Sequence, residues 1–243
     1  MNEQYFIIMK TNYSNDRPIG PFQRLKNFFC RTKGNKKIEA YEPAFNSKQT
    51  ASYDSKPEIE IPESEKKDAS TLMTEDRFWG LIGNSQSSSN IYETLSTLSD
   101  DELFGFRYWW EHFSKISYRQ DLWAAIYIYR GGCGDDSFDY FRFWLITQGR
   151  DMFYNALNNA DSLCDVFANV RDEDPTDEDA DYLVMDILNR RNNDSDYYYR
   201  ALKGYRMPEE ELPGIEFEWE EGDEESMRRV CPRTFDRWWG ECR

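Results

Sequence analysis

The sequence predicts a mainly α-helical fold, with a single compact multi-helix domain over residues 73–243 and a disordered N-terminal tail over residues 1–72. Two observations predict this class. Apolar residues recur at helical spacing in the second segment, and capping residues precede several of these stretches. The same segment holds all eight Trp and 31 of the 40 aromatic residues, which is enough apolar surface for one core.

The tail, residues 1–72, is first basic and then mixed in charge. Its stretch 39–70 has three prolines, many charges and few large apolar residues. Such a stretch buries too little surface to offset the entropy of ordering, so we expect disorder. The sequence at Met73 has the form of a domain start, and translation beginning there would leave residues 1–72 outside the native protein.

The first helices of the domain have recognisable N-termini. Thr74 is the expected cap of a helix over 75–82. Ser99 and Glu102 form a capping box, in which each side chain binds a free amide, and this box opens a longer helix. The core-facing positions of that helix are predicted to be Leu103, Phe106, Trp110 and Phe113.

Two further helices meet at a glycine-rich turn. The first covers about 118–130 and is expected to end at Gly131 and Gly132. Either Asp135 or Asp136 is the expected cap of the second. The residues predicted to face the core from the second helix are Phe138, Phe141, Trp144 and Leu145.

The later helices follow from the same kinds of signal. Asp161 is the expected cap of a helix over 162–170, and Pro175 is expected in the first turn of a helix that continues to Leu188. Asp223 is expected to cap the last helix, which Pro232 ends. The aromatic residues predicted to dock back on the core after it are Phe235, Trp238 and Trp239.

The charge of the domain limits the partners that it can bind. Residues 1–72 carry 12 basic and 10 acidic residues, net +2, whereas residues 73–243 carry 18 and 36, net −18. A domain this acidic repels phosphate, so nucleic-acid binding is not expected. It attracts a basic protein partner, although a solvated acidic surface without a partner has the same composition.

Cysteine and histidine usage indicates a reduced protein without a structural metal. The five cysteines are irregularly spaced, no pair has CxxC spacing, and His112 is the one histidine. A zinc site is therefore not expected, and neither is a cofactor. No window is apolar enough for a signal-peptide core or a membrane span, so we expect a cytoplasmic protein.

One part of the tail, residues 22–37, interleaves aromatic and basic side chains. Such a segment can lie on an anionic membrane surface. An unstructured basic tail that offsets the acidic domain explains the same composition, since the segment has no clear helical stripe.

The densest motif runs from Gly131 to Gly149. Within it, adjacent Asp135 and Asp136 are able to bind a metal or to act as acid and base. With Arg142 and Gln148 they form the candidate site of an enzyme or a small-ligand-binding domain. Cys133 lies near a helix N-terminus, where its pKa could be lowered.

A structural interpretation explains the same motif without catalysis. The glycines end one helix, an aspartate caps the next, the aromatic residues fill the core, and Arg142 binds a neighbouring carbonyl or carboxylate. His112 has no partner nucleophile in a recognisable motif, which favours a structural role. We therefore predict no catalytic residue in the chain.

The central motif also resembles a known family. Residues 122–126 read LWAAI, residues 132–149 read GCGDDSFDYFRFWLITQG, and residues 160–163 read ADSL. These are similar to the LWAAA-like helix, the GCSDDxFxxFRxWLIxQG motif and the PDSL-like cap of the bacterial family known as domain of unknown function 4240. Departures are Gly134 for the usual Ser and Ala160 for the usual Pro.

The resemblance extends over nearly all of residues 73–243 and leaves out residues 1–72. DRFWGLI at residues 76–82 fits the family's opening, and Pro232 before the aromatic pair Trp238-Trp239 fits its closing pattern. The resemblance implies a small helical bacterial domain and implies no established activity.

Two functions are consistent with these observations. The first is a non-enzymatic protein–protein interaction module, and an immunity-like inhibitor of a basic partner is one form of it. The alternative is an enzyme or small-ligand-binding domain that uses the motif 131–149. A membrane-tethered adaptor using residues 22–37 is a third hypothesis.

Overall fold

A computed structural model describes residues 61–83, 88–170, 174–208 and 212–241. This part of the chain is mainly helical, as predicted. The helices are α1 (Glu75–Ile82), α2 (Ser88–Leu95), α3 (Asp100–Ile116), α4 (Gln120–Arg130), α5 (Asp135–Thr147), α6 (Arg150–Asn158), α7 (Leu163–Asn169), α8 (Leu183–Asn192), α9 (Tyr197–Leu202), α10 (Glu224–Val230) and α11 (Pro232–Trp238). Short 3₁₀ turns lie at Glu63–Glu65, Ala69–Thr71, Ala160–Ser162 and Glu178–Tyr182.

The folded region begins earlier than the predicted boundary at residue 73. Strand β1 (Lys67–Asp68) pairs in parallel with β2 (Tyr205–Arg206), and the side chain of Ala69 is fully buried. Lys67 also donates to the carboxylate of Asp101 at the start of α3, over 2.6 Å. Composition did not indicate this earlier start, because the strand partner and the ion-pair partner lie more than 30 residues further along the chain. The remaining predictions for the tail, including residues 22–37, lie outside the described residues.

Several helix termini are formed by the predicted side chains. The Thr74 hydroxyl accepts the amide of Arg77, and both hydrogen bonds of the Ser99–Glu102 capping box are present. Gly131 ends α4 in the left-handed region, with φ 68°, which favours glycine. The Asp223 carboxylate caps α10 as predicted.

Two predicted caps were wrong. Gly134, without a side-chain hydrogen bond, precedes α5, so Asp135 and Asp136 are its first two residues. Asp161 does not cap the helix that follows it, because its carboxylate accepts the amides of Arg233 and Thr234 at the start of α11 instead.

Pro175 also does not begin a helix. It precedes the 3₁₀ turn Glu178–Tyr182, whose cap is Asp177. The Asp177 carboxylate accepts the amide of Ala180 and both the amide and the hydroxyl of Ser88 in α2. These hydrogen bonds place the start of the turn after Asp177, so the α-helix itself begins only at Leu183.

The core is aromatic, and α4 and α5 run through it. All the residues predicted to face inward from α3 and α5 are buried. Helix α4 is buried on several sides, since Trp123, Ala124 and Ile128 lie in the core together with Leu122 and Ala125. The segment after Pro232 is itself helical, and its Phe235 and Trp238 dock on the core as predicted.

Within the described ranges, no helix combines the length and the apolar character needed to cross a bilayer.

Candidate functional site

Hydrogen bonds hold the turn between α4 and α5. After Gly131, the amide of Gly132 donates back to the carbonyl of Tyr127 over 3.0 Å. Gly132 has φ 147°, a region that favours glycine. The indole nitrogen of Trp123 donates to the carbonyl of Cys133 over 2.9 Å. Gly131 and Gly132 thus allow the chain to reverse direction, so that the carbonyl of Cys133 reaches the indole of Trp123.

The two adjacent aspartates lie on the surface. Asp135 and Asp136 are exposed in the first turn of α5, where the positive end of the helix dipole favours their charge. The 3₁₀ turn Glu178–Tyr182 packs against α5, and the amide of Asp177 donates to the carbonyl of Tyr140 over 3.0 Å.

The side chain of Tyr140 lies near carboxylates of both elements, and it forms a hydrogen bond with Glu178. Burial first, and then the nearby Glu178 and Asp136, raise the pKa of Tyr140 to about 12. Glu178 and Asp179 are exposed in the 3₁₀ turn. We call Asp135, Asp136, Glu178 and Asp179 the acidic face.

Arg142 is a buried residue of the junction between α3 and α5. Its side chain is 3% exposed and donates to the carbonyl of Ser114, in the last turn of α3, and to the carboxylate of Asp139. The guanidinium also lies 5.0 Å from the ring centroid of Tyr118 and 5.3 Å from that of Phe138. A cation at this position is favoured by the negative end of α3 and by the aromatic faces.

Gln148 lies at the opposite end of α5. Its amide donates to the carbonyl of Trp144 and to the hydroxyl of Thr147. It also borders an open cleft of about 340 Å³, together with Trp79, Gly80, Gly83, Gly149, Arg150, Asp151 and Met152. The guanidinium of Arg150 in this cleft is paired with Glu75 and Asp76.

The structure does not bring the four candidate site residues together. Asp135 and Gln148 flank a helix of 13 residues, which spans about 20 Å. Asp135 and Asp136 are exposed, whereas Arg142 is buried between them and Gln148. One bound molecule of small size cannot contact all four side chains.

The pKa of Cys133 is raised, which contradicts the possibility that the nearby helix N-terminus lowers it. Burial raises the pKa of the thiol to about 12, and the negative charges of Asp174, Asp135 and Asp139 act in the same direction against the opposing Arg130. The thiolate is therefore disfavoured at neutral pH. His112 is half-buried, with edge contacts to Trp109 and Phe113, and burial lowers its pKa.

The surface of the protein has an aromatic groove that the sequence did not predict. Trp123, Phe217, Trp219, Glu220 and Glu221 line a depression of about 310 Å³. We call it the aromatic groove. The sequence signal for this groove was the pair Phe217 and Trp219 within a glutamate-rich extended segment. No local pattern predicts that they pack against Trp123, about 95 residues earlier in the chain.

The described ranges contain no group of three or more His, Cys, Asp or Glu side chains placed to share a metal ion. The predictions that the protein uses no metal and no cofactor stay predictions.

The chain matches a family model over residues 73–190, and the description of that family is protein of unknown function, DUF4240. No curated protein and no solved structure matches the chain. The matched range contains the opening segment 76–82 and the motif 131–149. It ends within α8. The likeness of Pro232–Trp239 to the family's closing pattern stays a prediction. The match over residues 73–190 supports the resemblance of the chain to the DUF4240 family.

Proposed function

We propose that this protein is a non-enzymatic protein–protein interaction module whose acidic face binds a basic protein partner. The observation that carries the proposal is the set of exposed carboxylates around the start of α5. None of the four carboxylates of the acidic face forms an ion pair with a basic side chain of the described ranges. They are therefore available to an incoming cationic surface.

Several other acidic residues of the described ranges are used differently. Asp101, Glu102 and Asp181, for example, pair with Lys67, Arg77 and Arg107. These internal pairs cancel charge locally, whereas the acidic face concentrates unpaired charge on two adjacent elements. Charge of one sign on a surface patch raises the rate at which an oppositely charged partner associates.

The alternative, an enzyme or small-ligand-binding domain, has less support. Gln148 borders a cleft, but Asp135, Asp136 and Arg142 lie elsewhere on α5. Arg142 already binds a carbonyl and a carboxylate, and it packs against aromatic rings. The arrangement favours an interaction surface over a shared catalytic centre.

The proposal places the protein in the bacterial cytoplasm. Cys133, Cys164 and Cys231 are buried free thiols, which is usual in a reducing compartment. An immunity-like protein that covers a basic toxin is the form of this function that the charge favours. A toxin encoded beside this protein would be the first partner to test, by rescue of growth on co-expression.

The experiment is capture of the partner from the native cell, with the full chain as bait. We expect one stoichiometric basic protein. A variant neutralised at Asp135→Asn, Asp136→Asn, Glu178→Gln and Asp179→Asn is expected to associate with it about 10–100-fold more slowly at low salt. Stopped-flow association at two salt concentrations measures this effect.

A charge-matched control separates the acidic face from net charge. Glu65, Glu93, Asp151 and Asp196 are also exposed and form no ion pair within the described ranges. Neutralising these four changes the net charge equally, yet is expected to slow association less than threefold. Equal slowing by both variants, or capture of no basic protein, would overturn the proposed function.

A further inference from the structure

The two indole rings of the aromatic groove have their polar atoms satisfied outside it. The indole nitrogen of Trp219 donates to the carbonyl of Gln120 over 2.9 Å, and that of Trp123 donates to Cys133. What these two residues offer to the groove is therefore ring surface. Phe217 contacts both, with ring centroids 5.5 Å from Trp123 and 5.7 Å from Trp219.

Phe217 is unusually exposed for a residue with two aromatic neighbours. Half of its surface is open to solvent, whereas Trp123 and Trp219 are 9% and 5% exposed. An exposed Phe over a depression leaves apolar surface in water, and binding of a partner would remove it.

Two glutamates are among the residues that line the groove. Glu220 and Glu221 are exposed, and neither pairs with a basic side chain anywhere in the described ranges. The Tyr127 hydroxyl forms a hydrogen bond with Glu221, and the ring of Tyr127 packs 5.0 Å from that of Trp219. Aromatic faces next to unpaired carboxylates form a site for a cation with an apolar stem.

We infer that the aromatic groove receives an Arg or Lys side chain of the basic protein partner, with its stem against Phe217 and the indole rings and its charge beside Glu220 and Glu221. The inference rests on the proposed function for the nature of the partner. Charge complementarity selects this occupant, because a neutral apolar side chain would leave both carboxylates partly desolvated and unpaired.

The groove also connects to the acidic face through α5. Trp123 stacks on Phe138 with ring centroids 4.5 Å apart. Asp135 lies one turn before Phe138, on the same side of the helix. Helix α5 thus carries part of the acidic face and also contacts a ring of the groove.

The test uses a small cation with the chain in its native form. Nα-acetyl-arginine amide is titrated into ¹⁵N-labelled protein, and the indole signals of Trp123 and Trp219 are followed by NMR. The neutral isostere Nα-acetyl-citrulline amide is the ligand control. We expect the arginine amide to shift both signals and the citrulline amide to leave them unchanged.

Variants then locate the site. Phe217→Ala, and separately the double variant Glu220→Gln with Glu221→Gln, are expected to weaken binding of the arginine amide about tenfold. The controls are Tyr199→Ala, a second exposed aromatic residue, and the double variant Glu65→Gln with Glu93→Gln. Equal shifts by both amides, no shift, or equal weakening by the controls would overturn the inference.

The captured partner distinguishes this inference from the proposed function. If the partner binds Phe217→Ala and the Glu220/Glu221 double variant as tightly as the native chain, the groove inference fails and the proposed function stands. If the arginine amide binds at the groove but no basic protein is captured, the proposed function fails and the cation site stands.

Discussion

Two clusters of aromatic side chains in this protein differ in what surrounds them. The inner cluster, formed by Phe78, Trp79, Phe113 and Phe153, lies between α1, α3 and α6. The ring centroids of the other three residues lie 4.5–5.4 Å from that of Phe113. The aromatic groove uses the same residue types, yet Phe217 stays half-exposed beside two carboxylates. Aromatic content alone therefore does not separate core from recognition surface.

The difference comes from the neighbours along the chain. Phe113 lies on a long helix whose apolar stripe repeats at helical spacing, so its neighbours are other apolar residues. Phe217 lies in an extended segment with Glu216 and Glu218 on either side. Such flanking charges stay hydrated, and they keep the segment at the surface.

Truncation in the inner cluster should have the largest effect on stability. Phe113→Ala removes a fully buried ring, and we expect the free energy of unfolding to fall by about 3–5 kcal/mol because a cavity remains. Urea unfolding followed by circular dichroism measures the loss. A loss below about 1 kcal/mol would show that the two clusters do not differ as described.

Asp161→Ala should have the next largest effect, because this residue holds the C-terminal helices in place. Its carboxylate accepts the amides of Arg233 and Thr234 over 3.0 and 2.8 Å, and also the Thr234 hydroxyl. We expect a loss of about 2–3 kcal/mol, since two buried donors of α11 lose their acceptor.

Asp165→Ala is the matched control for this change. Asp165 is largely exposed, and it binds the α11 side chains of Arg233 and Arg237 through surface ion pairs. Such pairs contribute less than about 1 kcal/mol. Equal losses in the Asp161 and Asp165 variants, measured by urea unfolding, would contradict the capping role of Asp161.

Tyr205 combines features of the two clusters, because its ring packs in the core and its hydroxyl binds a carboxylate. The contribution of that carboxylate to stability depends on pH. Its ring stacks 4.0 Å from buried Phe104, while its hydroxyl donates to Asp101 over 2.6 Å. Hydrogen bonds from Lys67 and then Tyr205 hold the pKa of Asp101 below its usual value of 3.8. Folding favours the ionised carboxylate, so its stabilisation is complete above pH 3.8 and is lost as pH falls through the lower, folded-state pKa.

Asp101→Asn should therefore be less stable than the native chain at neutral pH, and this difference should shrink at about pH 3. Urea unfolding of both proteins at the two pH values isolates the effect from the other carboxylates that titrate. A difference that grows on acidification would contradict the assigned direction of the pKa shift.

Phe217→Ala should have the smallest effect on stability. Because the ring is half-exposed, we expect the free energy of unfolding to change by less than about 1 kcal/mol. Thermal unfolding followed by circular dichroism measures this change. A loss as large as that of Phe113→Ala would show that Phe217 belongs to the core and would remove the contrast between the clusters.

Much of the fold could be predicted from local patterns. The Ser99–Glu102 capping box, the Thr74 cap and the stop at Gly131 act within one helical turn, so the sequence contains both partners. Asp161 was assigned to the wrong helix because an aspartate near a helix start looks the same whichever helix it caps. The candidate site was predicted from Asp135, Asp136, Arg142 and Gln148, which are close in sequence but spread along α5.

By itself, the sequence determined the helical class, several helix termini, the buried stripes of α3 and α5, and the strong acidity of the domain. These properties depend on residue type and on spacing of a few residues. Only the tertiary structure decided that Asp161 caps a helix 72 residues later and that Phe217 meets Trp123 in a groove. Such contacts depend on how the whole chain packs, because loop closure between distant residues has no local signal.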